Sequence, residues 1–308
     1  MPEPLRRGSS VLADAPGSPG SAEWRGVFAT DGGGGASPVS GVPVVDVSRP
    51  AALALALGPV DDPLRDDVPA GDAPPDDIPV VVVHRAADEH EVRVAASVLV
   101  GHRPRVPVAL VPTDHAPLAG ILALAMAQGV ATDAGHAVAA VRDLLSASWS
   151  AVVTSSVAGL DHPAPTVAQH LRSWWPRARF VVRLGPRPRI VSAARPLLAL
   201  DGSPANGRDL YATSATEDDP VTRALVSWTA SKSVRAVPLP DGMPPPLGIT
   251  GGDQLALLPS EPGDVVRRPG VPCPGGLAAS GEVCDFCRTL LPGASARHAR
   301  EVLPGVPA

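Results

Sequence analysis

Ile78-Pro79-Val80-Val81-Val82-Val83-His84 decides the fold class, because four consecutive valines suit a strand covered on both faces and little else. Strands of that kind belong to parallel sheets sandwiched between helices. Outward from it the chain alternates helix-period and strand-period segments for roughly 160 residues, the order a doubly wound domain requires. The expected class is α/β: a three-layer, mostly parallel, doubly wound sheet, with a disordered N-terminal arm before it and a small ribbon-like tail after it.

After the valine strand, Asp88 and Glu91 read as a capping pair for a helix carrying Val94, Ala95, Val98 and Leu99, which Gly101 ends. Val106 to Val111 is the next strand. Thr113 or Asp114 reads as the cap of the following helix, where Leu118, Ile121, Leu122, Ala125 and Met126 recur at the helical period. Its other side is small, with Ala119, Gly120, Ala123 and Ala127, so this helix is expected to be the most buried. Further on, the pattern gives a helix from His136 to Ala147, strands at Trp149 to Val157 and Arg179 to Leu184, and a helix from Thr166 to Trp175 between them. Ile190-Val191 is a short extended piece and Leu210 to Ala215 a fifth strand. Asp219 caps a helix whose first residue is Pro220, and Val234 to Leu239 returns to the sheet.

These elements place the α/β domain at residues 78–240. Residues 1–41 are rich in Gly, Ser and Pro and read as a flexible arm. Residues 42–77 are partly ordered, with a strand-like run at Val42 to Val47 and a linker of seven aspartates among prolines between Asp61 and Asp77. Residues 241–270 form a Pro/Gly-rich connection, residues 271–293 the ribbon-like tail, and residues 294–308 the terminal tail.

Of the 308 residues, 44% are hydrophobic and only 3% aromatic, so the core must be built from Val, Leu and Ala. A net charge of -5 gives no general attraction to nucleic acid or to an anionic membrane. A nucleic-acid partner is therefore not favoured, and no membrane partner is expected without a local basic patch. The longest apolar run, Ala116 to Ala127, is short of the ~20 residues that span a bilayer. Arg6 and Arg7 are not followed by a signal-like apolar stretch, and the three cysteines do not make a disulfide framework. The composition reads as an intracellular, cytoplasmic protein.

Cys273-Pro-Gly-Gly followed by Cys284-Asp-Phe-Cys287 resembles a zinc ribbon, in which two Cys-x-x-Cys knuckles hold one zinc ion through thiolates. The second knuckle is complete, whereas Gly276 stands where the first needs its second cysteine. The resemblance implies zinc held by Cys273, Cys284 and Cys287, with His298 able to fold back as a fourth ligand; the alternative is a degenerate, metal-free ribbon held by Leu277, Phe286 and Leu290.

Ligands in open parallel sheets collect outside the carboxyl ends of the strands. Those ends carry His84, Asp114, His115 and Ser155, a histidine, acid and serine set from which a hydrolytic group could be built. No Gly-x-Gly-x-x-Gly follows the valine strand, and Ser155 lacks the Gly-x-Ser-x-Gly elbow. A third candidate is the arginine interval from Arg172 to Arg195, with Arg179, Arg183, Arg187 and Arg189 as anion ligands and Trp174-Trp175 at its start. The absence of a nucleotide loop, a nucleophile elbow and a full metal-ligand set favours a binding or regulatory protein with a protein or small-molecule partner over an enzyme. A hydrolase using the strand-end rim and a phosphate- or nucleic-acid-binding protein are the alternatives.

Overall fold

The computed structural model describes residues 25–30, 35–36, 42–48, 53, 78–160, 162–176, 178–200, 208–214, 219–229, 234–239, 243, 247, 249, 252–266, 271–272, 278–279 and 284–286. The first sheet comprises β1 (Arg25–Thr30), β2 (Gly35–Ala36), β3 (Pro43–Asp46), β4 (Val80–Arg85) and β5 (Val108–Thr113), in the order β2-β3-β1-β4-β5. All its pairings except β2–β3 are parallel. Val80 to Val83 of β4 are fully buried between β1 and β5, as a four-valine strand demands. Helix α1 (Glu89–His102) covers one face, where Val92, Ala95 and Leu99 meet Val80 and Val82.

The other face is covered by α2 (Pro117–Val130) and α3 (Ala134–Ala147), which pack on Phe28, Val81, Val83, Ala109 and Val111. Helix α2 is buried all round from Pro117 to Leu124 because a second sheet lies on its far side, where Leu118, Ala119 and Leu122 meet Tyr211, Ala256 and Leu258. That sheet contains β6 (Trp149–Thr154), β7 (Phe180–Leu184), β8 (Arg189–Ser192), β9 (Arg208–Ala212), β10 (Val234–Ala236) and β11 (Asp253–Pro259). Its order is β10-β9-β11-β6-β7-β8. Between β6 and β7 lies the short helix α4 (Val167–Arg172), and α5 (Pro220–Thr229) packs Val221 and Leu225 on the outer face. A two-stranded piece, β12 (Val271–Pro272) with β13 (Ala278–Ala279), completes the described strands.

The α/β class read from the sequence holds, and the parallel order belongs to the first sheet. In the second sheet only β9–β10 is parallel. Strand direction leaves no mark on a strand buried on both faces, so β6 and β7 looked like their parallel counterparts. Two boundaries also differ. Arg25–Thr30, read as part of a flexible arm, is a strand whose Val27, Phe28 and Ala29 are buried by partners on both sides. The run near Gln254, placed beyond the domain, is β11, which lies between β9 and β6.

Three helix starts test the expected caps. Asp219 does cap α5, accepting from the Thr222 amide at 3.2 Å. Asp88 makes no cap bond and is instead gripped by Arg85, Nε to Oδ2 at 2.7 Å and Nη2 to Oδ1 at 2.6 Å. Neither Thr113 nor Asp114 caps α2, which begins at Pro117. Its Leu118 amide donates to Gln254 Oε1 at 3.0 Å, a partner 136 residues away on the second sheet.

Candidate functional site

The two sheets meet where the chain leaves β5. Thr113 Oγ1 accepts from the His115 amide at 3.1 Å, the Ala116 amide donates to Ser150 Oγ on β6 at 3.0 Å, and the Gly185 amide after β7 donates to the Asp114 carbonyl at 2.9 Å. His115 Nδ1 lies 3.1 Å from Ser150 Oγ. The Ser150 hydroxyl, which accepts from the Ala116 amide, thus also shares a hydrogen bond with the imidazole and ties β6 to the end of β5. Burial lowers the His115 pKa to about 4, with the Asp114 charge opposing the shift and Arg183 adding to it. The ring is thus neutral near pH 7. Gly185 passes directly over it with φ +102, and a Cβ there would stand 2.8 Å from His115 Cε1.

Around this seam opens a crevice of about 310 Å³. One wall is the carboxyl ends of the parallel strands: Arg85, Ala86 and Ala87 after β4, then Thr113, Asp114 and His115 after β5. The facing wall comes from the second sheet and its loops: Leu184, Gly185, Pro186 and Pro188, with His162 and Pro163 beside them. Leu247 closes one side with a left-handed backbone, φ 56, a conformation that a leucine rarely adopts without compensation. The volume lies at the small end of the range for organic-ligand sites, roughly 300–1,000 Å³.

The expected rim residues divide. Asp114 and His115 line the crevice. His84 does not, because alternation along β4 turns it to the α1 face with Val80 and Val82 while Arg85 turns to the other. Buried there, His84 has its pKa lowered by desolvation, and its Nδ1–H donates to the Arg85 carbonyl at 2.9 Å. Ser155 lies past the far end of β6. Ser150 of β6 is the residue at the seam, and five residues of extended chain separate the two serines, roughly 17 Å. The expected hydrolytic set is therefore not assembled: the antiparallel direction of β6 carries Ser155 away from His115.

The arginine interval disperses as well. Arg179 pairs with Asp219, Arg183 Nη1 lies 3.4 Å from the Ala199 carbonyl, Arg189 Nη1 donates to the Leu198 carbonyl at 3.0 Å, and Arg187 is exposed in a loop. Of the expected zinc ligands, Cys273, Cys287 and His298 lie outside the described residues, as do Gly276, Leu277 and Leu290. Cys284 is buried, beside Asp285, whose carboxylate takes both Arg142 nitrogens of α3 at 2.9 and 2.6 Å. Among the described residues no grouping of His, Cys, Asp and Glu could hold a metal ion, and no helix is long and apolar enough to cross a membrane.

What sequence reading missed is the facing wall. Gly185 between Leu184 and Pro186-Arg187-Pro188 was the available signal, a turn that only glycine makes freely, followed by prolines that stiffen it.

No family model matches the sequence, and no curated protein matches it either. Similar solved structures include a DegV family protein from Eubacterium eligens loaded with heptadecanoic acid, at 11% identity and a TM-score of 0.46, covering 61% of this chain and 75% of that one. A DegV family protein from Corynebacterium glutamicum has 16% identity and a TM-score of 0.42, covering 60% of this chain and 76% of that one. A fatty acid binding DegV family protein from Streptococcus agalactiae has 12% identity and a TM-score of 0.42, covering 78% of this chain and 100% of that one.

Proposed function

We propose that this chain binds a small, mostly apolar organic molecule in the crevice between its two sheets, as a carrier or sensor of that molecule. The observation that carries the reading is the make-up of the walls. Ala86, Ala87, Pro163, Leu184, Pro186, Pro188 and Leu247 supply an apolar lining, and Arg85, Thr113, Asp114, His115 and His162 are its few polar members. Among these, Arg85 is fixed in direction by its two bonds to Asp88. Thr113 Oγ1 already accepts from His115, so its hydroxyl proton is the one left to donate. An apolar lining with a few convergent polar groups is the usual construction of a small-molecule site.

Catalysis is the weaker reading because burial makes His115, the histidine at the seam, a weak base. His115 is neutral, buried and bonded to Ser150. A ligand with an apolar body and one hydrogen-bond-accepting end suits the walls. A straight-chain carboxylic acid has this make-up, and the Eubacterium eligens structure is loaded with one, heptadecanoic acid. It is the first molecule to try, with the matching alcohol beside it.

Native mass spectrometry and thermal shift, on the full chain with a series of acids and alcohols of increasing length, test the proposal. Binding should saturate and raise Tm, since a ligand bound only by the folded state stabilises it by mass action. Ala87→Trp, which fills the crevice from an exposed position, should abolish the shift, and Arg85→Gln should weaken acids more than alcohols. Ligand binding that survives Ala87→Trp undiminished would place the site elsewhere and refute the proposal.

A further inference from the structure

Away from the crevice, α4 presents Val167 and Leu171 one turn apart, and the turns directly after it present Trp174 and Trp175. All four are exposed, the two indoles at 73% and 70%. The core makes no use of α4, none of whose residues is buried. Yet the element is firmly mounted. Thr166 and Gln169 form a reciprocal capping box, Gln169 Nε2 donates to the Ile190 carbonyl of β8 at 3.1 Å, and Ser173 Oγ accepts from the Val157 amide at 3.0 Å. Leu197 and Leu198, on the 3-10 turn Pro196–Ala199, add two more exposed apolar side chains.

Arg172, Arg189 and Arg195 surround one concavity on this face, together with Ser192 and Leu198 and with no carboxylate among its lining residues. Its volume is about 530 Å³. Arg189 is oriented by its bond to the Leu198 carbonyl. Residues 162–200 contain no Asp or Glu at all. Apolar side chains standing out of a rigid support beside an acid-free cluster of guanidinium groups mark an interaction surface.

We infer that this face docks on an anionic lipid bilayer, the tryptophans and leucines entering the headgroup boundary and the arginine concavity receiving lipid phosphate. Tryptophan is favoured at that depth, where its ring is half in hydrocarbon and half in water. The guanidinium fork matches phosphate oxygens. The chain's net charge of -5 speaks against attraction of the whole molecule, and from it the sequence reading expected no membrane partner. The local patch reverses that sign on this face, which orients the docking. A single-stranded nucleic acid fits less well, because Val167, Leu171, Leu197 and Leu198 offer bases neither stacking faces nor hydrogen bonds.

The test is co-sedimentation of the full chain with vesicles of phosphatidylcholine alone and of phosphatidylcholine with about a third phosphatidylglycerol, read together with tryptophan emission. Binding is expected only to the anionic vesicles, with a blue shift that Trp174→Ala/Trp175→Ala removes. Arg172→Gln and Arg195→Gln should each weaken it about fivefold, and added salt should weaken it steeply. All these positions are exposed, so circular dichroism should be unchanged. Failure to sediment with anionic vesicles overturns the inference, as does binding indifferent to both sets of substitutions. Tighter binding to a single-stranded oligonucleotide than to the vesicles overturns it in favour of nucleic acid.

Discussion

Helix α2 meets the parallel sheet at one point of close backbone approach, Gly120, flanked by Ile121, Ala123, Leu124 and Ala127, and meets the antiparallel sheet through Leu118, Ala119 and Leu122. Toward the parallel sheet Gly120 lies under Phe28, a Cβ there standing 2.6 Å from Phe28 Cε2, and Ala123 and Ala127 continue the strip. Toward the antiparallel sheet Leu118 and Leu122 reach Tyr211, Ala256 and Leu258, while Gln254 supplies the bond to the Leu118 amide. One contact is set by how closely backbone approaches sheet, the other by side-chain volume and a polar tie. The difference teaches that the two sheets are fastened to one helix by opposite means, and opposite substitutions should therefore loosen them.

Truncation should hurt most on the antiparallel side. Leu122 is 2% exposed, and Leu122→Ala removes a filled volume that the packed surroundings recover only in part, at a cost of about 3 kcal/mol. Denaturant unfolding measures this, and a loss below about 1 kcal/mol would show the second sheet collapsing onto the helix. Enlargement should hurt on the parallel side. Gly120→Ala would stabilise an ordinary exposed helix by up to about 1 kcal/mol, yet here overpacking against Phe28 should destabilise by about 2 kcal/mol. The sign decides: a stabilised Gly120→Ala protein would mean that the ring yields and that close approach does not set this contact.

The same division explains what could be read from the sequence. The valine strand was legible because burial on both faces fixes its composition. β1 was not, since Val27-Phe28-Ala29 is too short to carry a period and is buried only through partners distant in the chain. β11 was not, because a run following Pro244-Pro245-Pro246 and Gly251-Gly252 resembles an isolated strand in loop. At the site, Asp114 and His115 were found from strand ends, and alternation along β4 would have exchanged His84 for Arg85. Ser155 depended on strand direction, which composition does not encode. The facing wall belongs to another sheet, and only tertiary structure brings it near.

The seam itself yields the smallest and sharpest effect, a dependence on pH. His115 keeps its neutral form in the folded state with a pKa of about 4, against about 6.5 in the unfolded chain. As pH falls below 6.5 the unfolded state takes up its proton first, so the stability this burial contributes is fully present above that value and is lost as pH falls toward 4. Between pH 7 and 5.5 the loss should be about 1 kcal/mol, a range in which most carboxylates have not yet begun to titrate. Burial lowers the His84 pKa in the same direction, so it adds to the slope from the far side of β4. His115→Asn should lower stability at pH 7 through lost packing yet flatten the slope, and His84→Asn should flatten what remains. Urea unfolding across that range separates the two readings, because a purely structural loss shifts the curve without changing its slope. An unchanged slope in His115→Asn would mean that water reaches the ring in the folded state, and would loosen the seam on which both sheets and the crevice depend.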